Sequence, residues 1–431
     1  MSAYNSIIQL VVVISALIIL HEVGHFLGAR LFKIHSEEFG IGFPPRLARL
    51  FRLKGTIQIG STVVKVPFGI KALQDLEVGM WVETVTEKDE EDQYKLKKIQ
   101  LLPPVDYERT PKQEFSNDGI QIHGELTAVN LGTLFSFNWL PLGGFVKIRG
   151  EGDLSVPDGL AAGSPWKRVV VYAMGPIFNI ALAVVLYAVI ISQLGMADPS
   201  VVLIADVVDN SPAAVAGLQV DDVILDIDGQ TVDSMIVLHD AIYAKLGAEI
   251  ALTYQRADQV IESVIVPREN PPEGEGAIGI VMGNPTAPIS WLAALPMGAV
   301  STANHALALV TLPAQVVQGA ISAEEARPVG YKGMYDIYQD VQERELVPGA
   351  PQSLNIIWFF TTITISLGVL NLLPIPALDG GRILFTLPEI IFRRRIPMQA
   401  QNFINAISFM LMILLFFYIN YLDFANPVQL P

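Results

Sequence analysis

His21, Glu22 and His25 are the first residues whose types and spacing suit chemistry. They stand in the segment His21-Glu22-Val23-Gly24-His25, and residues four apart on an α-helix share a face. Each imidazole can therefore present one nitrogen to a single ion. Glu22 lies about 100° round the helix from His21 and can reach a water on that ion without binding it. Two ligands and a general base at this spacing form the H-E-x-x-H arrangement that hydrolyses peptide bonds at zinc. The setting strengthens the reading. The three groups interrupt an apolar run long enough to enter a bilayer, where a charged group costs about 2.5–3.5 kcal/mol.

A catalytic zinc takes a third protein ligand. The position six residues after His25, a histidine in one class of zinc protease, is Leu31. Glu37 and Glu38 follow the run but lie past Lys33. Asp379 is the better candidate. It closes the segment Asn371-Leu372-Leu373-Pro374-Ile375-Pro376-Ala377-Leu378-Asp379, at the end of another apolar run. Two prolines there cannot continue a helix. Unwound backbone at membrane depth is tolerated where it lines a cavity, and a carboxylate in such a segment calls for a cation.

The elements that must position these groups are apolar spans. Four stretches are long enough to cross a bilayer: about 7–32, 169–194, 356–373 and 404–422. Arg30, Lys33, Arg46, Arg49, Arg52 and Lys54 follow the first, and Lys147, Arg149, Lys167 and Arg168 precede the second. Arg382 and Arg393 to Arg395 lie between the third and fourth, whereas no Lys or Arg occurs from Val169 to Ala244. The positive-inside rule then puts the first-to-second and third-to-fourth connections in the cytoplasm and the middle region outside. His21, His25 and Asp379 fall at one level, toward the cytoplasmic side.

Composition agrees. Of 431 residues, 51% are hydrophobic and 16% charged, and mean hydropathy is +0.44. The net charge of −15 argues against a nucleic-acid partner. The absence of cysteine excludes disulfides, thiolate metal sites and thiol nucleophiles. Residues 201–282 alternate β-branched runs with turn signals such as Asp209-Asn210 and Asp228-Gly229, the pattern of a small α+β domain. A second β-rich stretch, about 55–131, contains no evident chemistry. Residues 289–317 carry no charge, but an extra crossing there would put Asp379 on the wrong face, and Pro296 and Pro313 should break the helix. Helices lying on the outer surface or roofing the site are expected instead.

The chain resembles the site-2 protease family of intramembrane zinc metalloproteases, in its bacterial PDZ-containing form. The matching pieces come in family order: HEVGH, FGIGF (Phe39 to Phe43), LPLGGFVKIRGE (Leu140 to Glu151), GPIFN (Gly175 to Asn179), a PDZ-like SPAAVAGLQVDDVILDIDG segment, and NLLPIPALDGG. Pro44 stands where the family usually has another glycine, and 55–131 is longer than its usual equivalent. The resemblance implies a polytopic α-helical membrane protein. It would comprise a first transmembrane helix (1–34), a cytoplasmic or re-entrant β region (35–166), a second helix (167–195) and an extracytoplasmic PDZ-like domain (199–284). Interfacial helices (285–353), a third helix with its connector (354–395) and a fourth helix (396–431) would follow. It implies Zn²⁺ held by His21, His25 and Asp379, with Glu22 as catalytic base. Asn371, Pro374 and Pro376 would clamp the substrate, and Gly143, Gly144 and Phe145 would belong to a membrane-associated β-hairpin that receives it as an added strand. Ala277, Ile278, Gly279 and Ile280 would form the PDZ ligand loop. The implied partners are the lipid bilayer and single-span membrane proteins, such as anti-sigma factors or signal-peptide remnants, already trimmed by another protease.

Two other classes compete. A catalytically silent PDZ scaffold would be expected to lack one of His21, Glu22, His25 or Asp379, and all four are present. A divalent-metal transporter would often show internal repeats, and none stands out. His35, His123, His239 and His305 are isolated and are read as structural.

Overall fold

The computed structural model describes residues 3–68, 76, 78–90, 92–102, 112–116, 119–156, 158–272, 274–322, 324–343 and 352–427. The expected 55–131 module therefore includes stretches outside the described residues. In chain order the elements are α1 (Ala3–Leu31), β1 (Ser36–Arg52), β2 (Gly55–Ile59), β3 (Thr62–Val66), β4 (Trp81–Lys88), β5 (Tyr94–Leu101), β6 (Lys112–Ser116), β7 (Gly119–Asn130), β8 (Leu134–Ile148) and α2 (Pro165–Leu194). Then come β9 (Met196–Ala197), β10 (Val202–Val207), α3 (Pro212–Val215), β11 (Val223–Ile227), β12 (Gln230–Thr231), α4 (Met235–Tyr243), β13 (Ile250–Arg256), β14 (Gln259–Ile265), β15 (Ile280–Gly283) and β16 (Thr286–Ala287). The chain ends with α5 (Trp291–Val317), α6 (Tyr331–Glu343), α7 (Gln352–Leu372), α8 (Asp379–Phe392) and α9 (Met398–Ala425). Two compact units result: residues 1–186 with 300–431, and residues 187–299.

In the first unit, α1, α2, α7 and α9 are long and apolar enough to cross a membrane, as is α5. Their contacts give their relative directions. His25 of α1 meets Val171 of α2, while His21 meets Asn179, so α1 and α2 run antiparallel. Leu10 clusters with Phe359 and Phe360 of α7, and His21 reaches Asp379 just beyond the end of α7, so α1 and α7 run parallel. Near its start α9 bonds the turn after α7, through Asn405 to Ala377 and Ser408 to Pro376. Near its end α9 bonds α6, where Asp423 accepts from the N–H groups of Gly330 and Gly333. That makes α9 antiparallel to α7. Side chains such as Leu411, Leu414 and Phe417 are exposed along α9. An apolar surface of this extent is compatible with lipid and not with water. The protein is a multi-pass membrane protein.

Glycines allow α1 and α2 to touch. A Cβ on Gly24 would lie 2.3 Å from the Met174 carbonyl oxygen, and one on Gly28 would lie 3.0 Å from Met174 Cγ. This small-xxx-small pair brings the backbones together, as is common inside membranes.

Three features depart from the sequence reading. First, α5 is one continuous helix that includes Pro296 and Pro313. Each proline lies near a helix end and removes a single backbone donor, so the remaining turns of the helix keep their hydrogen bonds. Second, LPLGGFVK is not a hairpin of two arms paired with each other. β8 turns sharply near Gly143 (φ +69°), and its arms flank β1 instead. Phe39, Gly40 and Ile41 each have two partners, one from 144–146 and one from 135–137. Third, Asp379 is not in the unwound stretch but opens helix α8.

Strands β2 to β7 close into a small barrel. Its strand order is β2-β3-β5-β4-β7, with β7 also pairing with β2 and β6 lying outside on β7. Alternate residues, including Ile57, Ile59, Val64, Val82, Leu96 and Leu126, fill it. The second unit carries a sheet of order β14-β13-β11-β10-β15, packed with α3 and α4 around Ile204, Ile224, Leu238 and Leu252. Ala277 and Ile278 are 2% exposed within this core, so they cannot offer side chains to a ligand. Gly279 (φ +74°) and Ile280 lead into the edge strand β15.

Candidate metal centre

The helix spacing in α1 turns both imidazoles toward α8. His21 Nε2 lies 3.0 Å from Asp379 Oδ2, His25 Nε2 lies 3.2 Å from the same oxygen, and the two Nε2 atoms are 3.1 Å apart. All three residues are buried, and they form the metal-competent group found among the described residues. A tetrahedral zinc ion at its usual bond lengths keeps ligand atoms roughly 3.3 Å apart. The three separations match that triangle. Two imidazole nitrogens and a carboxylate oxygen also form the donor set of a catalytic zinc site, which leaves one position open.

The outer nitrogens are held too. His25 Nδ1 donates to the Val171 carbonyl oxygen at 2.8 Å. His21 Nδ1 lies 3.3 Å from the Asn179 side-chain amide. Asn179 is fully buried, and its Oδ1 has no protein partner. Turning that amide over lets Oδ1 accept from His21 Nδ1–H, which satisfies both atoms. Both histidines then keep Nε2 free of protons and aimed at one point, the arrangement metal-binding histidines adopt. Gly175 forms the floor. A Cβ there would lie 2.4 Å from His25 Nε2 and 2.8 Å from His21 Nε2.

Asp379 reaches the site because α7 stops. Pro374 and Pro376 occupy the turn, Ala377 takes φ +74°, and α8 begins at once. The two glycines after Asp379 permit the reversal, since a Cβ on Gly380 would lie 2.1 Å from the Leu373 carbonyl oxygen and one on Gly381 2.3 Å from that of Ile375.

A cavity of about 370 Å³ opens beside the three ligands. Glu22, Phe145, Val146, Asn371, Tyr172 and Arg382 are among its lining residues. Glu22 Oε2 accepts from the Val146 N–H at 2.9 Å. Asn371 donates back to the Leu367 carbonyl oxygen at 2.9 Å. Of the residues expected to meet substrate, Phe145 and Asn371 line this cavity and Pro374, Pro376, Gly143 and Gly144 do not; Ala377 and Leu378 supply the wall beside the proline turn. Glu37 and Glu38 are not ligands; they pair with Lys147 and Arg46.

Several site residues escaped the sequence reading. Asn179 stands alone as a polar group in the apolar core of α2, a signal that was available. Arg382 lies one helical turn after Asp379, pairs with Glu151, and sits 5.5 Å over the Tyr172 ring. Gly175 gives no signal beyond its place in GPIFN.

The model of peptidase family M50 matches residues 9–75 and 123–415. The unmatched stretch between them contains β4, β5, β6 and the start of β7. The regulator of sigma-W protease RasP of Bacillus subtilis is 26% identical over 97% of this chain and 98% of its own. The zinc metalloprotease RasP of Bacillus licheniformis is 26% identical over 97% of this chain and 98% of its own. Among solved structures, the PDZ domain of the SdrC-like protein from Listeria monocytogenes is 29% identical over 19% of this chain and 85% of its own, with a TM-score of 0.17. With zinc-competent ligands gathered at the H-E-x-x-H helix and a family model spanning most of its length, the chain belongs to peptidase family M50, the site-2 type of zinc metalloprotease.

Proposed function

We propose that the protein hydrolyses a peptide bond within the transmembrane segment of a single-span membrane protein, close to the cytoplasmic face. One observation carries this reading: a strand edge runs past the metal ligands among apolar helices. Val146 pairs with Phe39 of β1, yet its N–H turns away from β1 toward Glu22. A transmembrane helix hides its peptide bonds in its own hydrogen bonds and must unwind before attack. Adding to the β8 edge satisfies the freed groups. The incoming strand takes the Val146 N–H and leaves both Glu22 oxygens for a water.

His21, His25 and Asp379 would hold zinc, which when bound would supply Lewis acidity and an acidified water. Glu22 accepts the water's proton and returns it to the leaving amine. Val171 and Asn179 keep the imidazoles in register. Phe145 and Asn371 bound the space the peptide occupies.

The proposed topology has four crossings, α1, α2, α7 and α9. Because α2 is antiparallel to α7, the chain between them begins and ends on one side. A single crossing by α5 is incompatible with that. The basic residues after α1, before α2 and around α8 favour an active site facing the cytoplasm, by the positive-inside rule. The second unit then lies outside. Its β15 edge is suited to the C-terminus left by an earlier cut, with Gly279 giving close backbone approach.

The test is cleavage of a tagged single-span protein, already trimmed outside, in liposomes containing the full chain. Fragment masses should place the cut inside the apolar segment. Glu22→Gln should slow cleavage about 10²–10⁴-fold while zinc content stays unchanged. Cuts confined to the polar flanks would reject the reading.

A further inference from the structure

A second cavity, of about 940 Å³, lies between the β1/β8 sheet and the barrel. Its chemistry is opposite to that of the chain as a whole. The chain carries −15, yet Arg46, Arg49, Arg52, Lys147 and Arg149 all line this space. Three of them are neutralised locally. Arg46 pairs with Glu38, Lys147 with Glu37 at 2.7 Å and Arg149 with Asp158 at 3.3 Å. Arg49 and Arg52 form no salt bridge among the described residues; Glu38, the carboxylate acting on Arg52, is already paired with Arg46. Arg52 spends one N–H on the Gly132 carbonyl oxygen at 3.0 Å, and its guanidinium is pushed down by burial and by the neighbouring Arg49 and Arg46 charges, which outweigh the opposing charge of Glu38. Glu37, Glu38 and Asp153 also line the space, so five basic groups face three carboxylates and the cavity keeps a net positive charge; the two unpaired guanidinium groups gathered at one wall form an anion site.

The surroundings indicate which anion. The cavity begins four residues after the end of α1, at His35. On the same strand as the arginines, Leu47 and Leu50 are 56% and 51% exposed, and Trp139 of β8 is 65% exposed. Exposed leucines and a tryptophan beside arginines, just past an apolar helix, are the composition of a bilayer interface. The space far exceeds one phosphate ion. We propose that this cavity binds the headgroup of an anionic phospholipid, its phosphate held by Arg49 and Arg52. Lipid bound there seats the β1/β8 sheet against the membrane surface, beside the strand that reaches Glu22.

The full chain in non-ionic detergent can be titrated with dihexanoyl phosphatidylglycerol, dihexanoyl phosphatidylcholine and inorganic phosphate, with binding read by native mass spectrometry. Phosphatidylglycerol should bind more tightly than the other two. Arg49→Gln should weaken it about fivefold and Arg49→Gln with Arg52→Gln about 25-fold, since each basic group near an anionic surface contributes about one such factor. Arg49→Lys should restore binding, which separates charge from folding, and zinc content should stay constant throughout. Equal binding of the two lipids, or no loss in the double variant, would overturn the proposal. Inorganic phosphate binding as tightly as phosphatidylglycerol would reject a lipid source, and displacement of phosphatidylglycerol by an equimolar acidic decapeptide would reassign the cavity to a peptide.

Discussion

Gly175→Ala offers a sharp test of the metal centre, because the perturbation is one methyl group. The added carbon would stand 2.4 Å from His25 Nε2 and 2.8 Å from His21 Nε2, where ordinary contact begins at 3.4 Å. His25 must therefore retreat by 1.0 Å and His21 by 0.6 Å, or α2 must move away from α1. Moving α2 away would instead give up the close packing of Gly24 against the Met174 backbone. Metal sites tolerate ligand displacements of about 0.2 Å, so both shifts are several times too large. Zinc affinity should fall by at least about 10–100-fold, the loss seen when outer-shell support alone is removed. Overpacking should lower stability by only about 1–3 kcal/mol. Chelator competition with metal analysis, run beside thermal unfolding in detergent, separates the two effects. Gly28→Ala is the control, since it overpacks the same helix contact against the flexible Met174 side chain at 3.0 Å and the Val171 backbone at 3.3 Å without an imidazole among its three nearest atoms. Wild-type zinc affinity in Gly175→Ala would refute the placement of the ligands over this glycine.

Asn179→Leu should keep the packing volume of α2 but release His21 Nδ1, lowering zinc affinity about 10–100-fold in the same chelator assay. Asp423→Ala should remove the acceptor for Gly330 and Gly333 and leave Arg327 without its partner at 3.5 Å; thermal unfolding should report a loss of about 3–5 kcal/mol, as for a broken buried pair, with zinc retained. Glu389, between Arg395 and Arg168, resists protonation: burial raises its pKa, but the two guanidinium groups outweigh this and hold it below the usual carboxylate value. Its stabilisation is present above the ordinary glutamate pKa and is lost as pH falls through the lowered one. Glu389→Gln should therefore be less stable than the wild type at neutral pH and show a smaller further loss on acidification below about pH 4.5, read by unfolding at stepped pH.

Helix periodicity alone determined that His21 and His25 would share a face, because four residues make nearly one turn wherever the helix lies. Proline chemistry likewise determined that α7 would stop before Asp379, and charge asymmetry marked which connections carry the basic residues. These are local properties, written within a few residues of where they act. What the tertiary structure decided depends on approach between distant elements. Asp379 meets His21 across 358 positions of chain, and Asn179 and Gly175 gain meaning only because α2 runs antiparallel to α1 at glycine distance. Closure of the barrel rests on the pairing of β2 with β7, and insertion of β1 between the arms of β8 rests on one turn at Gly143. The continuity of α5 belongs to the same class. A proline penalises a helix by one hydrogen bond and a steric contact, and whether that ends the helix depends on how many turns remain on either side and what surrounds them.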